Sequence, residues 1–282
     1  MMQLCMNELT IMQSGDLFSH IADCAEHGYS CMEIRKESLI RALREGHGLE
    51  EIGRVLKDHG ITPVCVNAIE SISFNNRRGM RMLKELGDYL FYCCRGIGCS
   101  CVEVIASFRP PTDNVEEINS ETVQALLQLS DVAGNYGVNL ALEYMGLPTS
   151  SVKTFRQSLE IVNAVNRKNV GILLDTWHHY ASGSQLEDIL LARDGQVFGV
   201  HINDCPAREP GKAVRTESFL PGDGVVPIAD MLRNLKEIGY DSAVSVEIFD
   251  PAIQAMPTDE CLTAAREKTL AVMETADVLT VI

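Results

Sequence analysis

Residues Thr122–Glu143 read TVQALLQLSDVAGNYGVNLALE and contain one complete unit of the fold. Within Thr122–Tyr136, the residues Val123, Leu126, Leu127, Leu129 and Val132 recur with the spacing of a helix that buries one face. Gly137 follows at the point where a left-handed residue ends a helix. Val138–Glu143 comes next, short, apolar and closed by a carboxylate, which is the composition of a strand buried on both faces.

The same unit recurs outward in both directions. Candidate strands are Gln3–Glu8, Cys31–Arg35, Thr62–Ala68 and Cys101–Ala106, then Val138–Glu143, Val170–Asp175, Val197–Ile202 and Val244–Ile248. Leu49–His59 and Ile228–Ile238 carry helical stripes like that of Thr122–Tyr136, and Gly28, Gly60 and Gly239 stand where helices hand over to strands. Strict alternation of strand and helix requires parallel pairing, because each helix carries the chain back to the start of the next strand. Eight units favour closure into a (β/α)8 (TIM) barrel over an open doubly wound sheet. A chain of 282 residues suits one such α/β domain spanning 1–282.

Composition narrows the function. The formal charge of -15 opposes nucleic-acid binding, which draws its affinity from Lys and Arg on phosphates. No apolar stretch is long enough to span a bilayer, and Met1–Leu9 lacks the basic and apolar regions of a secretory signal. The ten cysteines lie in apolar surroundings without a C-x-x-C pair and read as small buried hydrophobes in a reducing cytoplasm. There is no P-loop and no G-x-G-x-x-G. The longest irregular stretch, Asn203–Val226, is too long for an idle connection and is a candidate active-site loop.

Catalytic groups of such barrels sit where strands end. The last four strands finish with Glu143, Asp175, His201 and Glu247, so all four side chains reach one rim and converge. Three carboxylates and an imidazole suit one divalent cation, Mn²⁺, Mg²⁺, Co²⁺ or Zn²⁺, without separating these. A cation chelated by adjacent substrate oxygens polarises a carbonyl and acidifies the neighbouring C–H. Proton transfer through an enediolate follows, with Glu143 and Glu247 as bases, since a monodentate carboxylate keeps one oxygen free. His178, three residues past Asp175, is a candidate for a substrate oxygen, whereas His179 faces elsewhere. Asn7, Glu8, Arg35 and Asn67 follow the first three strands as rim groups for substrate. Pro221–Gly224 is a tight turn.

Several segments resemble the xylose-isomerase-like barrel superfamily of sugar isomerases, epimerases and type-IV endonucleases. They are Leu4–Thr10, His27–Arg35, Ser73–Arg77, Leu142–Gly146, Val162–Arg167, Asn169–His178 and Val244–Phe249, spread over almost the whole chain. Within the superfamily they are most similar to the branch that isomerises inososes such as 2-keto-myo-inositol. The resemblance implies a small sugar or inosose substrate, one divalent metal and a possible homo-oligomer. Related barrels dehydrate similar polyol ketones, so a lyase is the alternative. The endonucleases need further histidines after the third and fourth strands, where this sequence has Asn67 and Ala106–Ser107. One position departs from the pattern: relatives often carry an Arg three residues before Pro-Gly-x-Gly, and here that position is Ser218, with Arg215 nearest.

Overall fold

Gly137 has φ of 70°, and Gly28, Gly60 and Gly239 share its left-handed conformation. Each stops a helix and turns the chain into a strand, as the sequence predicts. The computed structural model of the protein describes residues 2–279. The strands are β1 (Gln3–Asn7), β2 (Cys31–Arg35), β3 (Thr62–Ile69), β4 (Cys101–Ile105), β5 (Asn139–Glu143), β6 (Val170–Asp175), β7 (Val197–Ile202) and β8 (Ala243–Val246). Each pairs in parallel with the next, and β8 returns to β1, closing the (β/α)8 barrel.

Helices α1 (Leu17–Glu26), α2 (Lys36–Arg44), α3 (Leu49–Asp58), α4 (Arg77–Ile97) and α5 (Val115–Gly134) cover the first half of the barrel. They are followed by α6 (Phe155–Val165), α7 (Thr176–Ser182), α8 (Ile228–Glu237), α9 (Pro251–Gln254) and α10 (Thr258–Thr275). Among the described residues, no helix is long and apolar enough to cross a membrane. Helix α5 begins earlier than its apolar stripe suggests. Asn114 caps it, its side-chain oxygen accepting from the backbone N–H groups of Glu116 and Glu117, and Ile118 extends the buried face.

β3 runs one residue past its expected end, to Ile69, and β4 stops one residue short, at Ile105, while the first and last strands also end early. β1 ends at Asn7, and Glu8 opens a 3-10 turn, Glu8–Ile11. β8 ends at Val246, so Glu247 lies just past it. The Thr10 hydroxyl explains both: it donates to the Val246 carbonyl at 3.0 Å and accepts from the Ile248 N–H at 3.0 Å, replacing the ladder with a side-chain bridge.

Because side chains alternate between the two faces of a strand, residues two apart share a face. Two residues before Asn7, Glu33, Asn67 and Glu103 stand Cys5, Cys31, Cys65 and Cys101. Two before Glu143, Asp175, His201 and Glu247 stand Ala141, Leu173, Gly199 and Ser245. The barrel thus carries a polar layer at its C-terminal mouth above a layer of thiols and small groups. The lower layer packs as two small clusters, Cys5, Cys31 and Ala243 on one side, Cys65, Cys101, Ala141 and Leu173 with Phe198 on the other. All ten cysteines are buried as free thiols.

Phe198 fills the space that a side chain at Gly171 would need, since a Cβ there would lie 2.6 Å from the ring. Gly171→Ala is therefore expected to destabilise the protein by about 1–3 kcal/mol through overpacking, read as a lower urea midpoint at unchanged m-value.

Candidate metal centre and substrate cavity

Four side chains meet at the mouth. Glu143 ends β5, Asp175 ends β6, His201 lies on β7 and Glu247 follows β8. One ligand atom from each lies within 4.8 Å of all the others, and among the described residues these form the one group close enough to share an ion. His201 Nδ1 is 3.4 Å from Glu143 Oε1, 3.2 Å from Glu247 Oε2 and 4.0 Å from Asp175 Oδ2. All four residues are buried.

Neighbouring groups fix these donors in place. Asp175 caps α7 by accepting from the His178 N–H at 2.9 Å, and its other oxygen accepts from Asn203 Nδ2 at 3.1 Å. Asn203 also donates to the Glu247 carbonyl at 2.9 Å, tying two ligand positions together. Asn7 donates to Glu247 Oε1 at 3.0 Å and to Glu33 Oε2 at 3.3 Å. His201 Nε2 lies 2.9 Å from Glu33 Oε2. That contact sets the tautomer: Nε2–H donates to Glu33, leaving the Nδ1 lone pair for the shared centre, the usual arrangement of a metal-bound histidine.

The electrostatics call for a cation. Two carboxylates about 4 Å apart repel by about 4 kcal/mol at the effective dielectric of a protein site. Burial raises the Glu143 pKa above the usual carboxylate range, and His201 only partly offsets this. Burial also raises Asp175, against the opposing pull of Arg215. For Glu247 burial is outweighed by His201 and Arg215, which hold its pKa below the usual value. Burial would lower the His201 pKa, but the carboxylates of Glu247, Glu33 and Glu143 win and lift it well above the usual imidazole value. The donors fit a divalent cation on two further counts. His201 Nδ1 and Glu143 Oε1 are buried without a hydrogen-bond partner, and three carboxylates with an imidazole are the donor chemistry such an ion takes.

Beside this centre is a cavity of about 360 Å³ lined by Arg35, Asn67, Glu103, Glu143, Arg215, Glu247 and Phe249 among others. The loop between β7 and α8 delivers Arg215. Its guanidinium lies 3.7 Å over the Phe249 ring and 5.3 Å from the Trp177 ring, and donates to Glu247 Oε2 at 2.8 Å. Asp204 holds the base of that loop by accepting from the N–H groups of Gly222 and Gly224 at 3.1 and 2.9 Å, so Pro221–Gly224 is a tight turn around a carboxylate. Ser218 is buried, and the cation that the pattern places there enters the cavity from Arg215 instead.

Of the residues expected at the rim, Arg35, Asn67 and Arg215 line the cavity. Asn7 is fully buried behind it, its amide spent on Glu33 and Glu247. Glu8 lies away from the mouth, its carboxylate 2.9 Å from His20 Nδ1 and accepting from the Arg35 N–H. His178 is buried, and Nδ1 accepts from the Gly146 N–H at 3.0 Å, which leaves a proton on Nε2. Burial, then the charges of Arg215 and His201, keep it neutral. His179 turns outward between the Tyr144 hydroxyl and the Gln185 carbonyl. Sequence reading missed Glu33, Glu103, Asn203 and Phe249. A lone acid inside an apolar strand, as in Cys31-Met-Glu-Ile-Arg35 and Cys101-Val-Glu-Val-Ile105, was the available signal for the first two. Glu103 is buried, and its pKa is pushed well up by burial and then by Glu143.

A family model described as a xylose isomerase-like TIM barrel matches residues 21–272. The inosose isomerase of Bacillus velezensis is 34% identical over 274 residues, 96% of this chain and 97% of that protein. The inosose isomerase of Bacillus subtilis is likewise 34% identical, over 96% of this chain and 98% of its own. The crystal structure of the IOLI protein with a bound zinc atom superposes with a TM-score of 0.93 at 32% identity, covering 99% of this chain and 100% of that one.

Cation binding should stabilise the fold by about 2.7 kcal/mol at roughly 100 times Kd, seen as a higher Tm with Mn²⁺ or Zn²⁺ than with EDTA. His201→Ala should remove that increment. Since the raised pKa of His201 makes a proton compete for Nδ1, calorimetry should show weaker binding at about pH 6 than at about pH 8, with proton release on binding.

Proposed function

Because the chain belongs to the xylose isomerase-like TIM barrel family, we propose that it is a divalent-metal-dependent isomerase of a small polyol ketone of the inosose type. One observation carries this reading. Among the described residues, most buried polar side-chain atoms without a hydrogen-bond partner gather at this mouth: Asn67 Oδ1, Glu103 Oε2, Glu143 Oε1, His201 Nδ1, and Arg215 Nε and Nη1. Each such group costs about 1–3 kcal/mol while unpaired. A ligand dense in hydroxyls, together with a cation, satisfies donors and acceptors alike. The Bacillus relatives named inosose isomerase, each matched over nearly its whole length, support the same substrate class. Ten buried free thiols accord with a cytoplasmic setting.

In this reading Glu143, Asp175, His201 and Glu247 hold the ion. When bound, the cation polarises the substrate carbonyl and acidifies the neighbouring C–H. Glu143 and Glu247 have environments that push their pKa values apart, upward for Glu143 and downward for Glu247. Such a split assigns different duties to paired carboxylates. Glu143 takes and returns the carbon-bound proton. Glu247, neutralised by Arg215, stays ionised on the other side. His178 donates its Nε2–H to a substrate oxygen, and Arg215, Arg35 and Asn67 orient the remaining hydroxyls. The aromatic face of Phe249 beneath Arg215 keeps water from that side of the cavity.

A panel of inososes with Mn²⁺ in D₂O tests the proposal. The expected result is solvent deuterium entering at the carbon next to the carbonyl, with product of unchanged formula. Loss of water would make the enzyme a lyase, and no exchange from any inosose with the cation bound would sink the enediolate route. Glu143→Gln should lower kcat by about 10²–10⁴-fold while the cation still raises Tm.

A further inference from the structure

Moving a carbonyl to the adjacent carbon makes a demand that inverting one carbon does not. One proton must pass between carbons, and a second must pass between the two oxygens. Three buried glutamates line the cavity, Glu103, Glu143 and Glu247, while Glu37 and Glu70 at its edge are exposed. Glu143 and Glu247 lie 3.4 and 3.2 Å from His201 Nδ1, and Glu247 is also paired with Arg215 at 2.8 Å. Glu103 takes part in no ion pair among the described residues, and its Oε2 is buried without a partner. It sits on β4 beside the strand of Glu143, with the pairing Ile105↔Glu143 and Glu103↔Ala141. It also points into the same cavity as Asn67, whose Oδ1 is likewise unpartnered. Among its buried acids the cavity thus holds one carboxyl, that of Glu103, which belongs neither to the ion-holding group nor to the arginine pair.

We propose, on the basis of the isomerase reading above, that Glu103 is a catalytic residue that carries the proton between the two substrate oxygens. Glu143 removes the C–H proton, the C–H electron pair becomes the C=C bond, and the carbonyl π pair moves onto its oxygen. The Glu103 carboxyl gives its proton to that oxygen. It then takes the proton of the neighbouring hydroxyl, whose O–H pair becomes the new C=O as the C=C pair collects the proton from Glu143 at the other carbon. Glu103 ends as it began, no electrons leave, and no co-reactant is needed. An enzyme that only inverts one carbon has no use for this group, so Glu103 commits the site to carbonyl transposition.

Wild type and Glu103→Gln are compared in D₂O with Mn²⁺ and an inosose, following deuterium at carbon in recovered substrate separately from formation of the transposed ketone. Glutamine keeps the shape and the hydrogen bonding but cannot exchange a proton. In E103Q, conversion should fall by about 10²-fold or more while exchange at the first carbon stays within a few-fold of wild type. Glu103→Asp, which keeps the carboxyl, should recover part of the conversion. An unchanged rise of Tm with Mn²⁺ shows that the variant has kept its fold and ion site. Wild-type conversion in E103Q, or loss of exchange and conversion in equal proportion, overturns the role of Glu103 alone. A wild-type enzyme that neither exchanges nor converts any inosose overturns the reading on which it stands.

Discussion

Three buried carboxylates within 4.8 Å of one imidazole nitrogen are the constraint that the rest of the mouth answers. Like charges at that distance repel strongly out of water, so each acid needs something to hold it. Arg215 neutralises Glu247 from above, Asn203 and the first turn of α7 grip Asp175, and Glu33 orients His201 from behind. Glu143 receives no such bond on Oε1. The centre is therefore asymmetric before any ligand arrives, with one acid held ionised and another left basic. Such a split gives paired carboxylates different duties, one able to take up a proton and the other staying charged.

Much of the fold was legible because local signals and topology agree. Gly137 and its counterparts stop helices where the apolar stripes end, and alternating elements leave a closed parallel barrel as the simplest way to bury every strand. The grouping of Glu143, Asp175, His201 and Glu247 was legible for a related reason: an acid or imidazole closing an apolar strand has nowhere to point except the mouth. What escaped lies inside strands or deep in loops. Glu33 and Glu103 share the inward face with the visible ligands, but they stand two residues before the strand end, among apolar neighbours. Asn203 does its work through two side-chain bonds that no local pattern announces.

Glu8 shows where counting from strand ends goes astray. Asn7 faces the barrel axis and ends β1, and the 3-10 turn that Glu8 opens carries its carboxylate away from the mouth to His20. Arg215 shows the opposite: its place depends on Asp204 gathering the N–H groups of Gly222 and Gly224, a contact that shapes the loop long after the sequence has left β7. A substitution at Ser218 thus left the cavity its cation. A strand that ends one residue early decided the first case and loop architecture the second.

The thiol and small-residue layer has its own consequence. Ala141, Leu173, Gly199 and Ser245 stand two residues below the four ligand positions, on the same inward face. Every ligand therefore rests on a support that differs from its neighbour's by a few atoms. The floor beneath the donors thus varies in volume from strand to strand, separately from the polar bonds that hold the donors themselves. Cavities of this kind can drift in geometry one carbon at a time while their donor set stays fixed, and a shared ion site can then serve ketones of different ring and chain shapes.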